Sequence, residues 1–446
     1  MMLRTTTTPT PLLLALLCMP FVSTGCGDDG GEAEGEAETY ISTDGSATTT
    51  EGGDASTTGA STSGASTTDA STTDASTTAP STTDPSTTDP STTDATTTGS
   101  DTSTTGGDGD CVEILGNCTH DPGNLTITTV VDGSDGLAAP TDVEFNPEQT
   151  NELWITNRED YSMVVVRNLG GGNEQSYKIQ ENFGGGQHFL AKPSAIAFGQ
   201  PGTFATAQHE DGWTQPQTPY DFMGPTLWGS SLQTFDGGHA GHLDMLHNSP
   251  NGAGIAWAGG NVYWYYDGYH GSLSRYDFVE DHGLGGTDHS DGIMWRALDN
   301  QLGHVPGVPS HVVYDFNTGY VYAADTQNGE IIVVDGDSGT PQGTVTPDYD
   351  GGTQRYLNGV DSWTYVDGAS VTPALEMPSG MELHDDMIFV TDYATGRISA
   401  FDLDGHLLDY LDTGFGNNRI MGITFDSAGS LYVVDHQGER VYKISV

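Results

Sequence analysis

One phrase recurs six times between Ala139 and Val446, and it limits the possible folds more than any other feature of the chain. A short apolar stretch follows a Pro or Gly. Then come a turn, a strand ending in Asp or Asn, a tight turn and another apolar strand. The first three copies are PTDVEF…LWITN (Pro140 to Asn157), PSAIAF…FATAQHED (Pro193 to Asp211) and NGAGIAW…VYWYYD (Asn251 to Asp267). The other three are PSHVVY…VYAAD (Pro309 to Asp325), PSGMEL…IFVTD (Pro378 to Asp392) and IMGITF…LYVVD (Ile420 to Asp435). Period-two alternation between turn residues reads as strands, and a recurring multi-strand unit reads as a propeller blade.

The last copy supplies three strands, Met421 to Phe425, Leu431 to Val434 and Arg440 to Val446, one short of a four-stranded blade. Ahead of the first copy lies Leu125 to Val131, LTITTVV, rich in β-branched residues. Pairing it beside the C-terminal strand would close the ring and remove its exposed edges. The expected fold is therefore all-β: a six-bladed β-propeller over residues 111–446, closed by an N-terminal outer strand on the last blade.

The phrases PSHVVYDFNTGYVYAADTQNGEIIVVD and MGITFDSAGSLYVVDHQGERVYKI resemble NHL repeats of six-bladed propellers, and the likeness spans nearly all of residues 124–446. That group has relatives among lactonases of the gluconolactonase type and among peptidylglycine amidating lyases. The resemblance implies a fold, while function has to be argued from a site. In the lyases, the resemblance implies, a zinc-binding His follows Pro at the start of inner strands. The matching positions here are Thr141, Ser194, Ser310 and Ser379. His311 lies one residue later, on the opposite strand face, which argues against lyase activity. The lactonase metal site of Glu, Asn and Asp has only loose counterparts in Asn157 and Asp267, so those ligands are not carried over.

The N-terminus reads as a processing signal. Arg4 supplies a positive n-region, and Pro11 to Val22 is an apolar h-region too short to span a bilayer. It ends in Ser23-Thr24-Gly25-Cys26, which resembles a bacterial lipoprotein box, with Ser23 standing where Leu is common. Residues 1–25 would then be a lipoprotein signal peptide, and Cys26 the lipid-carrying residue. Ordinary secretion is the alternative. Residues 26–110, an acidic stretch followed by pentads such as ASTTD and PSTTD, hold too little apolar surface to bury a core. They read as a disordered, lipid-anchored, Ser/Thr/Asp-rich linker whose composition resembles glycosylated stalks. The expected address is the bacterial cell envelope, periplasmic or outer surface, with the membrane met through the lipid anchor only.

Charge narrows the partners. Residues 27–110 hold 17 of the 62 acidic residues and none of the 12 basic ones, so the chain from Cys111 on keeps 45 acids against 11 bases, a balance of −34. Such a surface repels nucleic acid and anionic headgroups. It suits cations, cationic ligands, a salty medium or solubility alone. Of the four cysteines, Cys18 leaves with the signal and Cys26 would be lipidated. Cys111 and Cys118 are placed for a local disulfide in an exported chain.

Residues that the repeat does not require are the ones to search for a site. Two insertions flank the third blade. The first, about Asp211 to Pro250, contains His239, His242, Asp244 and His247. The second, about Tyr276 to Gly292, contains Asp281, His282, Asp288, His289 and Asp291. Ten of the 14 histidines fall between His188 and His311. Imidazole and carboxylate are ligands for zinc-like ions, while the acidic, Gly-rich second loop could wrap calcium with oxygens. The candidate metal ligands are His242, Asp244, His247, His282, Asp288, His289 and Asp291. Loops from adjacent blades are expected to bring them together near the central axis. His242 and Asp244 should share one strand face, and His247 needs a bend to join them. His209, Asp267, His270 and His311 form a candidate ligand face, with loop aromatics Trp213, Trp228 and Tyr269 able to stack on a sugar or an apolar ligand. The Asp that ends the second strand of blades three to six (Asp267, Asp325, Asp392, Asp435) is expected to accept N–H groups of the following turn, although four such carboxylates could also ring a channel. No GxSxG, phosphate-binding glycine loop or HExxH occurs.

The sequence reading is thus a surface-anchored binding or scaffold lipoprotein with an unknown protein or carbohydrate ligand. A metal-dependent hydrolase or lyase using the histidine-rich loops is the alternative. Catalytic residues stay unassigned, and the possible cofactor is a zinc-like or calcium ion.

Overall fold

The computed structural model describes residues 111–180, 187–211, 222–236 and 242–446. Cys26, the linker, His239 and Trp213 lie outside the described residues. The six repeats are six antiparallel sheets arranged as a β-propeller. The inner strands are Pro140–Phe145, Pro193–Phe198, Gly252–Trp257, Val312–Asp315, Pro378–His384 and Ile420–Phe425. Each packs on the next around the axis, and the sixth packs on the first. The last blade is completed by Thr126–Asp132, which runs antiparallel to Arg440–Ser445, with Thr126 opposite Ser445 and Asp132 opposite Arg440. The strand that precedes the first blade thereby becomes the outer strand of the last one and closes the ring. Cys111 and Cys118 are disulfide-bonded. Their loop docks on the fifth blade, where buried Asp409 accepts the N–H groups of Val112 (3.0 Å) and Cys118 (2.9 Å).

Alternation places the aromatics of VYWYYD between blades. Tyr263 and Tyr265 pack with Ala205 and Leu227 of the second blade, while Trp264 and Tyr266 pack with Val321 and Ala323 of the fourth. Both faces of the third blade are core, so all four rings are buried. Each contributes on the order of 1.5–3 kcal/mol of burial. Trp228 also differs from its sequence assignment. It is not in a loop but in the strand Thr226–Gly229, buried against Phe204, because the first insertion supplies the second blade's two outer strands.

One departure from simple repetition matters for the site. The fourth blade's third strand (Glu330–Asp335) and outer strand (Ser362–Asp367) are separated by a hairpin, Thr340–Gln342 with Thr353–Asn358. Thr353–Asn358 lies parallel to Ile293–Ala297, the outer strand of the third blade, so that sheet has six strands.

At the axis the inner strands approach too closely for side chains. A Cβ on Gly254 would lie 2.1 Å from the Ser310 carbonyl oxygen, and one on Gly380 would lie 2.1 Å from that of Met421. Overpacking of this kind costs about 1–3 kcal/mol. Gly254→Ala is therefore expected to lower stability by that amount in urea unfolding. A change below about 0.5 kcal/mol, the ordinary scatter of neutral sites, would show that the strands can part freely.

Candidate functional site

Five of the seven proposed metal ligands meet, but at the rim of the propeller rather than near its axis. His242–Met245 is the outer strand of the second blade, and residues 278–292 connect the third and outer strands of the third. Outer strands lie farthest from the axis, which is why the expectation of convergence there fails. Asp244, His282 and His289 each bring one ligand atom within 4.8 Å of the others. The strand ends at Met245, and beyond it His247 turns toward His289, with ring centroids 6.0 Å apart. His242 lies 5.1 Å from the His282 ring and stacks on Phe189. The remaining two are elsewhere: Asp288 accepts from the Ser290 N–H and hydroxyl, and Asp291 from the Glu280 N–H, both exposed and shaping the loop.

The hydrogen bonds leave ring nitrogens pointing inward. His247 holds Asp350 through Nδ1 (2.5 Å), and its N–H donates to the other oxygen of that carboxylate (3.0 Å). His282 Nδ1 lies 2.6 Å from the Gly283 carbonyl oxygen, and His289 Nδ1 lies 2.7 Å from Asp244 Oδ1. His247 Nε2, His282 Nε2 and Asp244 Oδ2 are buried without a hydrogen-bond partner among the described residues. Buried polar atoms are ordinarily paired. Metal-ligating histidines typically show this pattern, one nitrogen fixed by an acceptor and the other free. A tetrahedral zinc with ~2.0 Å bonds holds its donors roughly 3.3 Å apart, a separation within reach of small side-chain rotations. Nitrogen-rich donors with one carboxylate fit a zinc-like ion better than calcium, which takes oxygens. Burial pushes the Asp244 carboxyl up, against the pull of His289. Burial opposes charge on His289, but the Asp244 hydrogen bond and nearby carboxylates leave it above the usual histidine range.

Asp350 escaped the sequence reading because it belongs to the fourth blade's hairpin, 103 residues from His247. Asn248 and Gln354 bond nearby and hold that hairpin in place. The same histidine loop lends Leu284 to a 770 Å³ cavity between the first two blades, lined also by Asn146, Glu148, Arg167, Gln175 and Thr234.

The proposed ligand face divides. His209 lies where the inner strands begin, its Nε2 2.5 Å from that of His304, near Arg158 and the Lys192–Glu210 pair. His270 bonds Asp267 through Nδ1 (2.8 Å) at the same end, and exposed Tyr269 packs edge-on against it. Asp267, Asp325, Asp392 and Asp435 accept the N–H groups of His270, Asn328, Ala394 and Gly438, the turn role expected of them. His311 instead reaches across the axis to Asp142 of the opposite blade, 3.6 Å away. Toward the other end, Glu144 and Glu382 face inward. They were missed, although an acid in VEF and MEL where the other blades carry IAF, IAW and ITF was a visible signal.

No known family pattern matches the chain, and no curated protein is detectably similar. Solved structures of similar fold include an auxiliary nutrient binding protein from Bacteroides ovatus (15% identity over 72% of this chain and 76% of that one, TM-score 0.45). They also include the calcium-binding protein regucalcin from Agrobacterium tumefaciens (12%, 72% and 94%, 0.45) and virginiamycin B lyase from Staphylococcus aureus (9%, 72% and 99%, 0.41). Identities this low concern the fold alone. The chain is a six-bladed β-propeller with a histidine–carboxylate cluster on its rim.

Burial holds the His209, His304 and His436 imidazoles below the usual range. The unfolded chain binds protons at these positions near pH 6.5 while the folded chain does not, so stability falls as pH drops below that value. His209→Gln is expected to flatten this loss between pH 7.5 and 5 in urea titrations. An unchanged slope would show that His209 does not contribute.

Proposed function

We propose that the protein is an envelope-anchored binding lipoprotein whose recognition surface is ordered by a transition-metal ion at the junction of the second and third blades. The observation that carries this reading is the convergence of Asp244, His282 and His289, with His247 adjacent. A metal there would fix residues 278–292 against the second blade's outer strand and so set one wall of the cavity that Leu284 joins. Amide, hydroxyl and charged groups line that cavity, chemistry suited to a polyhydroxylated ligand such as a carbohydrate. Cys26 and the linker supply the anchor in this reading, with a reach of roughly 50 Å from the membrane.

The hydrolase alternative draws on the His247–Asp350 pair, whose free Nε2 has the form of a general base. His247 is nevertheless buried and faces the other ligands, which favours coordination over proton transfer to a substrate.

Metal analysis by mass spectrometry of the full chain is expected to find about one zinc-like ion per molecule, absent from His282→Ala/His289→Ala. Both substitutions sit in a connection rather than a strand. No metal in either protein would sink the reading. Independently, Cys26→Ser is expected to move the protein from the membrane to the soluble fraction of producing cells, and continued membrane association would remove the lipid anchor from the proposal.

A further inference from the structure

We propose that the end of the central channel where the inner strands finish is a binding site for an organic ammonium ion with an apolar or aromatic body. The site is a 580 Å³ cavity, separate from the rim cluster and from the His209 end. Ile196, Ile255, Val312 and Met381 form its walls, and Asp142, Glu144, Glu382 and His311 form its floor. At its mouth, Trp257 and Tyr314 flank the exposed ring of Phe316, with centroids 5.1 and 4.9 Å from it. Aromatic faces grouped around an opening attract ammonium groups by cation–π interaction.

The floor supplies the counter-charge. His311 is 5% exposed, and its Nε2 has no hydrogen-bond partner among the described residues. If Nδ1 keeps its proton toward Asp142, Nε2 offers a lone pair to an N–H donor in the cavity. Glu382 likewise has no hydrogen bond among the described residues, and Glu144 receives only a long one from Thr424 (3.3 Å). These groups come from the first, fourth and fifth blades, and among the described residues no lysine or arginine lines the cavity. Among those residues their ligand atoms do not form a set of three within 4.8 Å, as those on the rim do. That wider spacing suits N–H···O contacts to an ammonium better than short bonds to one bare metal ion.

Asp142, Glu144, His311 and Glu382 on the floor, with Glu148 and Tyr314 toward the mouth, are the titratable groups facing this space. Burial, reinforced by Asp142, pushes the Glu382 carboxyl up to about 8, and burial raises Glu144 and Asp142 as well. A bound cation displaces a proton from such a floor, so affinity rises between pH 6 and 8.5.

The test is calorimetric titration of the full chain with 2-phenylethylammonium, beside 2-phenylethanol and phenylacetate. Saturable binding of the ammonium is expected, at least tenfold tighter than either control and tighter at pH 8.5 than at pH 6. Glu382→Gln, nearly isosteric, is expected to weaken it at least tenfold, and Phe316→Ala severalfold. His282→Ala/His289→Ala should bind as the wild type does, so failure of the rim metal leaves this site standing. Equal binding of the alcohol, unchanged binding by Glu382→Gln with its melting temperature preserved, or calcium ion binding there in place of the amine would each overturn the proposal. So would the absence of any heat of binding.

Discussion

The waist of the propeller is held by side chains that bond the backbone of the next blade. Thr141 donates its hydroxyl hydrogen to the Pro193 carbonyl (2.9 Å), Ser194 to Gly252 (2.6 Å), Thr326 to Pro378 (2.7 Å) and Thr391 to Met421 (2.7 Å). His436 reaches the Pro140 carbonyl (3.0 Å) and joins the sixth blade to the first. Bulged inner strands begin here, so their first carbonyls lack partners in their own sheet. A buried carbonyl left unpaired costs about 1–3 kcal/mol. After Pro, the hydroxyls of Thr141, Ser194 and Ser379 therefore answer a backbone requirement, and a histidine in their place would leave the neighbouring carbonyl unsatisfied. That is the physical sense of Thr141, Ser194 and Ser379 standing where the resemblance to lyases implies His, while Ser310 bonds the Thr326 hydroxyl instead.

Neighbouring inner strands approach closely at the waist, and the two ends of the channel carry different chemistry. Asp142 and His311 are the side chains that enter it from opposite blades, and they meet across the axis. On one side lie neutral histidines with Arg158 and Lys192, and on the other a carboxylate floor beneath an aromatic mouth. A balance of −34 spread over the surface does not by itself select a cation. Selection is favoured by carboxylates partly removed from water, and Glu144 and Glu382 are half-buried in the channel.

Much of the architecture was legible in the sequence. Pro-Ser or Pro-Thr followed by alternating residues marked four of the six inner strands, the repeat phrase marked the other two, and LTITTVV marked the closing strand, because local pattern and pairing partner agree at those places. His242, Asp244, His282 and His289 were legible as a set from residue type alone. Their location was not. The outer strands His242–Met245 and Ile293–Ala297 carry no repeat phrase, so nothing local says which strand of a blade they become. The partner Asp350 depends on a parallel pairing between blades three and four, a long-range choice with no short-range signal. Trp228 was misplaced for the same reason: an insertion that looks like a loop supplies two strands.

The rim position of the histidine cluster also decides what a metal there can do. Its residues lie on and just after an outer strand and in a connection, backed by Asp350 of a hairpin that pairs with the third blade. His247 and Asp244 are buried where these elements meet, so coordination there could add to what packing supplies, as in structural metal sites. The channel carboxylates, in contrast, stand on Pro140–Phe145 and Pro378–His384, inner strands whose first carbonyls the waist bonds hold. Preorganised groups lose little conformational freedom on binding. Taken together, the two proposals divide the labour along the fold: the rim would be ordered by an ion, and the channel would recognise one.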